Sequence, residues 1–127
     1  MTTFTVQYKR QVLRVRLLED PASVHKLFKT TDRPKRGFII QAFFAPNKTN
    51  ANGTIVLPLV GCTPGLVAHE VMHAQAHRER IEAAMFKDFH PAFDFAAYDE
   101  EEICTRVGDL VDCIWSRVEK ARAEVGL

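Results

Sequence analysis

No stretch of this 127-residue chain is apolar for anything near the 18 residues a membrane-spanning helix needs. Its first residues, Met1 to Val6, lack the basic-then-apolar order of a secretory signal, so a cytoplasmic chain without a membrane partner is expected. Cysteine is scarce. Cys62, Cys104 and Cys113 are odd in number and form no C-x-x-C pair, which argues against a disulfide framework and for a reducing compartment. Burial as small apolar side chains is the expectation for each of the three. There is no internal repeat, low-complexity tract or interdomain linker. With 46% hydrophobic residues, the chain is large enough to bury one core without staples, and residues 1–127 read as a single domain.

Charge of one sign is also missing overall, since the net charge is +1, but the balance conceals an asymmetry. Residues 1–50 hold ten Lys/Arg against three Asp/Glu, and the remainder holds seven against thirteen. A basic half can meet nucleic acid. Here the cations (Arg14, Arg16, Lys26, Lys35 and Arg36 among them) are spread over strands, a helix and a loop, so a solvated face complementing the acidic half is the favoured reading.

Hydrophobic periodicity places the elements. Phe4, Val6 and Tyr8, then Leu13, Val15 and Leu17, alternate as a strand or as two strands broken near Lys9-Arg10-Gln11. Asp20-Pro21 opens a short helix whose apolar stripe is Val24, Leu27 and Phe28, with His25 as a surface or packing residue. A strand is expected over residues 37–44, a turn-rich cluster over 46–53, and a returning strand over 54–60, the two strands pairing as an antiparallel hairpin. Pro58 cannot donate a ladder hydrogen bond, which suggests an edge or bulged position for the second strand. Asp99 with Glu102 fits a capping box for a long last helix, striped by Ile103, Val107, Leu110, Val111, Ile114 and Val118 with Trp115 at the edge.

The chemistry concentrates in Val67-Ala68-His69-Glu70-Val71-Met72-His73-Ala74, which contains His-Glu-x-x-His. Thr63 is fitted to cap a helix here and Pro64 to occupy its first position, so the helix is expected from Pro64 to about Phe86. Residues four apart on a helix stand one above the other, and His69 and His73 can aim two imidazoles at one zinc ion. Glu70 is then close enough to take a proton from a metal-bound water without being a ligand. A shuffled chain of this composition shows the pattern about once in a hundred tries, which makes chance a poor explanation. His77 continues the rhythm, but eight residues from His69 is about 12 Å along the axis, too far for a third bond to one ion. Cys62 is near in sequence, though a strand-to-helix turn need not face the site. A third ligand is expected from the acidic start of the last helix. Helical phase sets Glu100 over the centre of the apolar stripe and Glu101 nearer its Cys104 and Gly108 edge, and does not decide between them.

The strand, turn and HEVMH helix resemble the zincin metallopeptidases, over about residues 54–115. In their gluzincin branch the third ligand is a Glu from a downstream helix, commonly with a small residue three positions on. Glu101, followed by Cys104, is the choice this resemblance implies, with Glu100 as the alternative. Small bacterial and phage gluzincins and ImmA/IrrE-like proteins look similar in pattern. The resemblance implies an α+β fold, a small zincin-like domain with a mostly antiparallel sheet packed against a metal-binding helix and a long C-terminal helix. It also implies that residues 54–60 form a strand edge that aligns an extended substrate.

The expected function is therefore that of a zinc-dependent metallopeptidase acting on a protein or peptide. Zinc would sit on His69, His73 and Glu101, with Glu70 as general base. His77, His90 and Tyr98 are candidates by residue type for stabilising the oxyanion. One rival is an interaction or regulatory protein that keeps the frame and cleaves nothing. Another is a protease of nucleic-acid-bound proteins, as SprT-like zincins are, although those use a third histidine ligand that this chain does not supply at the expected place.

Overall fold

The computed structural model of the chain describes residues 2–31, 40–87 and 100–127. The alternating N-terminal segment is two strands, β1 (Thr2–Tyr8) and β2 (Gln11–Leu18), which pair antiparallel. Lys9 and Arg10 make the turn. Lys9 takes φ 52°, the positive value that a two-residue hairpin turn needs to match the strand twist. Phe4, Val6, Leu13, Val15 and Leu17 point to one face and are buried there. Asp20 then caps α1 (Pro21–Thr31) by accepting from the Ser23 backbone N–H at 2.8 Å, as its position before a proline leads one to expect. His25 packs as expected of it, accepting from the Ile40 backbone N–H at 3.1 Å through Nδ1.

β3 (Phe43–Pro46) and β4 (Gly53–Pro58) form the antiparallel hairpin, with Phe43 opposite Val56 and Pro46 opposite Gly53. β3 is shorter and later than the run of apolar residues suggested. Residues 40–42 belong to no regular element, and the expected start of that strand at 37–39 lies outside the described residues. The Phe44 ring lies over Gly53, where any Cβ would press on it and come within 2.8 Å of the Ala45 carbonyl oxygen.

The sheet runs β1-β2-β4-β3. β2 and β4 are parallel neighbours and the other two pairings antiparallel, so the sheet is mixed, and the chain reaches β4 from β2 by way of α1 and β3. This arrangement corrects the expectation that residues 54–60 form an edge. β4 is interior, and the edge beside it is β3. Pro58 is tolerated because the Leu59 N–H goes to the Leu18 oxygen, on the β2 side, at 2.7 Å. Neighbouring residues of a strand point their N–H groups to opposite sides, so the donor Pro58 lacks would face the other side, where β3 pairing has ended at Val56.

α2 (Pro64–Lys87) and α3 (Glu100–Glu124) cover the face that carries Leu13, Val15, Ile55 and Leu57. Val67, Val71 and Ala74 of α2 meet Leu110, Ile114 and Val118 of α3 in that core. A fully buried Val or Leu of this kind contributes about 1.5–3 kcal/mol over its exposed state. The two helices run antiparallel. Arg122 near the end of α3 donates to the Cys62 carbonyl just before α2 at 3.0 Å, whereas Arg106 near its start donates to Gln75 at 2.7 Å. α1 lies on the other face against Leu18, Val56 and Phe43. Among the described residues the result is an α+β arrangement of three helices and a four-stranded mixed sheet, and no helix among them is long and apolar enough to cross a membrane.

Candidate metal centre

Thr63 starts the helix that builds the site. Its hydroxyl accepts from the Leu66 N–H at 3.1 Å and its carbonyl from the Val67 N–H at 3.1 Å, fixing the first turn ahead of His69. Because His69 and His73 are one turn apart on the flank away from the core, both imidazoles are exposed and stand together. Their Nε2 atoms are 3.2 Å apart and their ring centroids 4.8 Å. Two nitrogens bonded to one tetrahedral zinc at about 2.0–2.1 Å stand about 3.3 Å from each other, so the pair has the separation that a shared ion requires.

Glu70 is turned about 100° from His69, towards the sheet. Its side chain is buried, at 3% exposure, and among the described residues its Oε2 has no hydrogen-bond partner. Burial pushes its carboxyl up from 4.5 to about 7. Oε1 lies 4.0 Å from His69 Nε2. That is longer than the spacing between the two imidazole nitrogens, so the carboxylate sits beside the point where the imidazoles meet. Buried carboxylate oxygens nearly always have a partner. The unpartnered Oε2 is therefore able to accept from a ligand.

Among the described residues, the group of side chains able to share a metal is His69, Glu70 and His73, whose donor atoms all lie within 4.8 Å of one another. Glu101 is exposed on the first turn of α3 and is not part of that group. The reason is the flank on which α3 packs. It engages α2 through Gln75, two residues after His73 and so about 200° round the helix from it. The side chain of Glu100, together with His90, Tyr98 and Asp99, lies outside the described residues. Glu102, expected at the capping position, pairs with Lys9 and with Arg106. Lys9 holds its carboxyl below the usual range.

His77 has a structural use. It is buried, its Nε2 donates to the Asn50 carbonyl at 2.7 Å, and its ring lies against Phe44, with centroids 5.8 Å apart. These contacts tie α2 to the hairpin that walls the site. Cys62 is buried in the core, and that burial raises its thiol to about 11 against the pull of Arg122. Cys104 and Cys113 are exposed, contrary to the expectation of burial, because they fall on the solvent side of α3.

Two grooves meet at the site. One passes Ile40, Ala42, Gly61 and Leu66 to reach His69 and Glu70. The other, about 360 Å³, runs along the edge strand past Phe28, Phe43 and Phe44 to Glu70, His73 and Arg80. The aromatic wall and Arg80 were not anticipated from the sequence, although Arg80 follows His73 by seven residues and therefore shares its face.

Comparison with protein-family models, with curated proteins and with solved structures finds no match for this chain. Its function must therefore be read from the chemistry of the site alone.

Proposed function

We propose that the chain is a zinc-dependent hydrolase, and specifically a metallopeptidase of the zincin type. One observation carries the reading: two imidazoles at the separation of tetrahedral co-ligands stand beside a buried carboxyl group with a free oxygen, all three lining one cleft. When bound, zinc supplies Lewis acidity to the scissile carbonyl and to the attacking water.

The remaining work falls to side chains of this protein. His69 and His73 hold the ion at the cleft, on a helix whose start is fixed by Thr63. Glu70 accepts a proton from the water as the new C–O bond forms, then delivers it to the amide nitrogen as the C–N bond breaks. A carboxyl group near 7 suits a residue that must take up and release a proton at neutral pH. β3 presents the sheet edge nearest the site, so an extended peptide can add alongside Phe43 and Phe44 by backbone pairing. This moves the substrate-aligning role from residues 54–60 to the neighbouring strand.

The direct experiment compares cleavage of casein or a peptide library by wild type and Glu70→Gln, with zinc content measured on both. Removing a general base should lower turnover by about 10²–10⁴-fold while zinc is retained. A second reading gains support from the position of Glu101 outside the ligand group. In it, the protein keeps the frame as an interaction or regulatory module and cleaves nothing. Zinc-loaded wild type that leaves a broad peptide library intact would favour that module. Metal analysis of Glu101→Ala and Glu100→Ala decides whether either carboxylate completes the donor set.

A further inference from the structure

Arg80 sits on the cleft, on the same face of α2 as His73 and two turns beyond it, about 10 Å along the axis. Nothing on its own helix is placed to neutralise it. The positions three and four residues away are His77, Ala76, Ala83 and Ala84, none of them acidic. Among the described residues no ion pair involves Arg80, whereas its neighbour Arg78 on the opposite flank donates to Glu82 at 2.7 Å. The groove that Arg80 lines holds His69, Glu70 and His73 together with an aromatic wall. Phe28 and Phe43 meet edge to face, with centroids 5.3 Å apart, and Phe44 continues the wall. Among the described residues that line it, the formally charged ones are Glu70 and Arg80. An exposed arginine is ordinarily a solvated charge, but one on a groove wall with no ion-pair partner among the described residues can give its planar donors to a ligand.

We propose that Arg80 selects substrates carrying a carboxylate a few residues from the scissile bond, a proposal that rests on the metallopeptidase reading. An extended chain advances about 3.3 Å per residue, so the roughly 10 Å between His73 and Arg80 along the helix matches about two to four residues. The ligand class is a peptide with an apolar or aromatic side chain against Phe28 and Phe43 and a carboxylate beyond it. The carboxylate belongs either to an Asp or Glu side chain or to the peptide's own C-terminus. The planar guanidinium receives both in the same two-pronged geometry.

The test separates this preference from cleavage. Fluorescein-labelled octapeptides with Phe at the centre carry Glu or Gln three positions away on either side, or end in a free acid or an amide. Their binding is measured by anisotropy to zinc-loaded Glu70→Gln protein, with and without Arg80→Gln or Arg80→Glu. The expected result is about tenfold tighter binding of one carboxylate peptide than of its neutral twin. That gap should close in Arg80→Gln, turn into a preference for a Lys peptide in Arg80→Glu, and shrink in high salt. Which carboxylate discriminates identifies its source. Equal binding of acid and neutral peptides, discrimination that survives Arg80→Gln, or no measurable binding of any peptide overturns the proposal. Arg80-dependent binding alongside a wild type that cleaves nothing would leave this subsite standing and remove the hydrolase. Cleavage indifferent to the carboxylate would do the reverse.

Discussion

Both flanks of α2 carry polar and charged side chains, and they differ in what those side chains touch. On the flank facing α3, Arg106 is 1% exposed, donates to Gln75, lies near Glu102 and covers the Tyr8 ring at 5.6 Å. Arg78 is held by Glu82, and Gln75 also donates to Glu79 at 3.2 Å. Among the described residues Arg78 and Arg106 each keep one buried nitrogen without an acceptor, while Arg78 Nε donates to Glu82 and Arg106 Nη1 to Gln75. On the cleft flank, His69 and His73 touch chiefly each other, and Glu70 has a free oxygen. Polar side chains that saturate one another fasten helices together, whereas polar side chains left open on one cleft are available to a ligand.

Substitution on each flank should sharpen this contrast, and the largest effect belongs to the cleft. His69→Ala or His73→Ala should weaken zinc binding by at least about a thousandfold, read by competition with a chromogenic chelator, because each removes one of two imidazole donors. Their unfolding midpoints without metal should stay near that of wild type, since both rings are exposed. Arg106→Ala should do the opposite. It strands Gln75 in the interior and should cost about 2–4 kcal/mol in urea unfolding, with zinc stoichiometry intact. Loss of zinc binding in Arg106→Ala without loss of stability would erase the distinction.

A smaller effect follows from Glu70 in protein stripped of metal by a chelator. Its folded-state value near 7 lies above the ordinary 4.5, so between these values the folded chain holds a proton that the unfolded chain has released. The stability from this group is full below about pH 4.5 and is lost as pH rises to about 7 and beyond, a change of up to about 3 kcal/mol. The difference in unfolding free energy between wild type and Glu70→Gln, followed from pH 4.5 to 8, should show that slope. A flat difference would mean that the carboxyl is well solvated. Smallest is the cap: Thr63→Ala should cost about 1 kcal/mol, because it removes the acceptor of the Leu66 N–H without touching either flank.

Much of the fold was legible because its signals are local. Asp20-Pro21 and Thr63-Pro64 start helices where a side-chain oxygen precedes a proline, and both caps form. The stripe of α3 buries Leu110, Ile114 and Val118 as its spacing required. The parallel pairing of β2 with β4 was not legible, since neither strand's residues name a partner reached across α1. That pairing turned β4 from an edge into an interior strand and left β3 beside the cleft.

The sequence by itself determined that His69 and His73 would stand together and that Glu70 would be next to them, because a helix fixes neighbours four residues apart wherever it lies. Only the tertiary structure decided that Glu70 is buried, that α3 packs on the flank away from the imidazoles, that His77 braces the hairpin and that Arg80 shares a groove with an aromatic wall. These relations join elements distant along the chain. They depend on which surfaces the sheet and helices cover when the core closes, and helical periodicity carries no record of that choice.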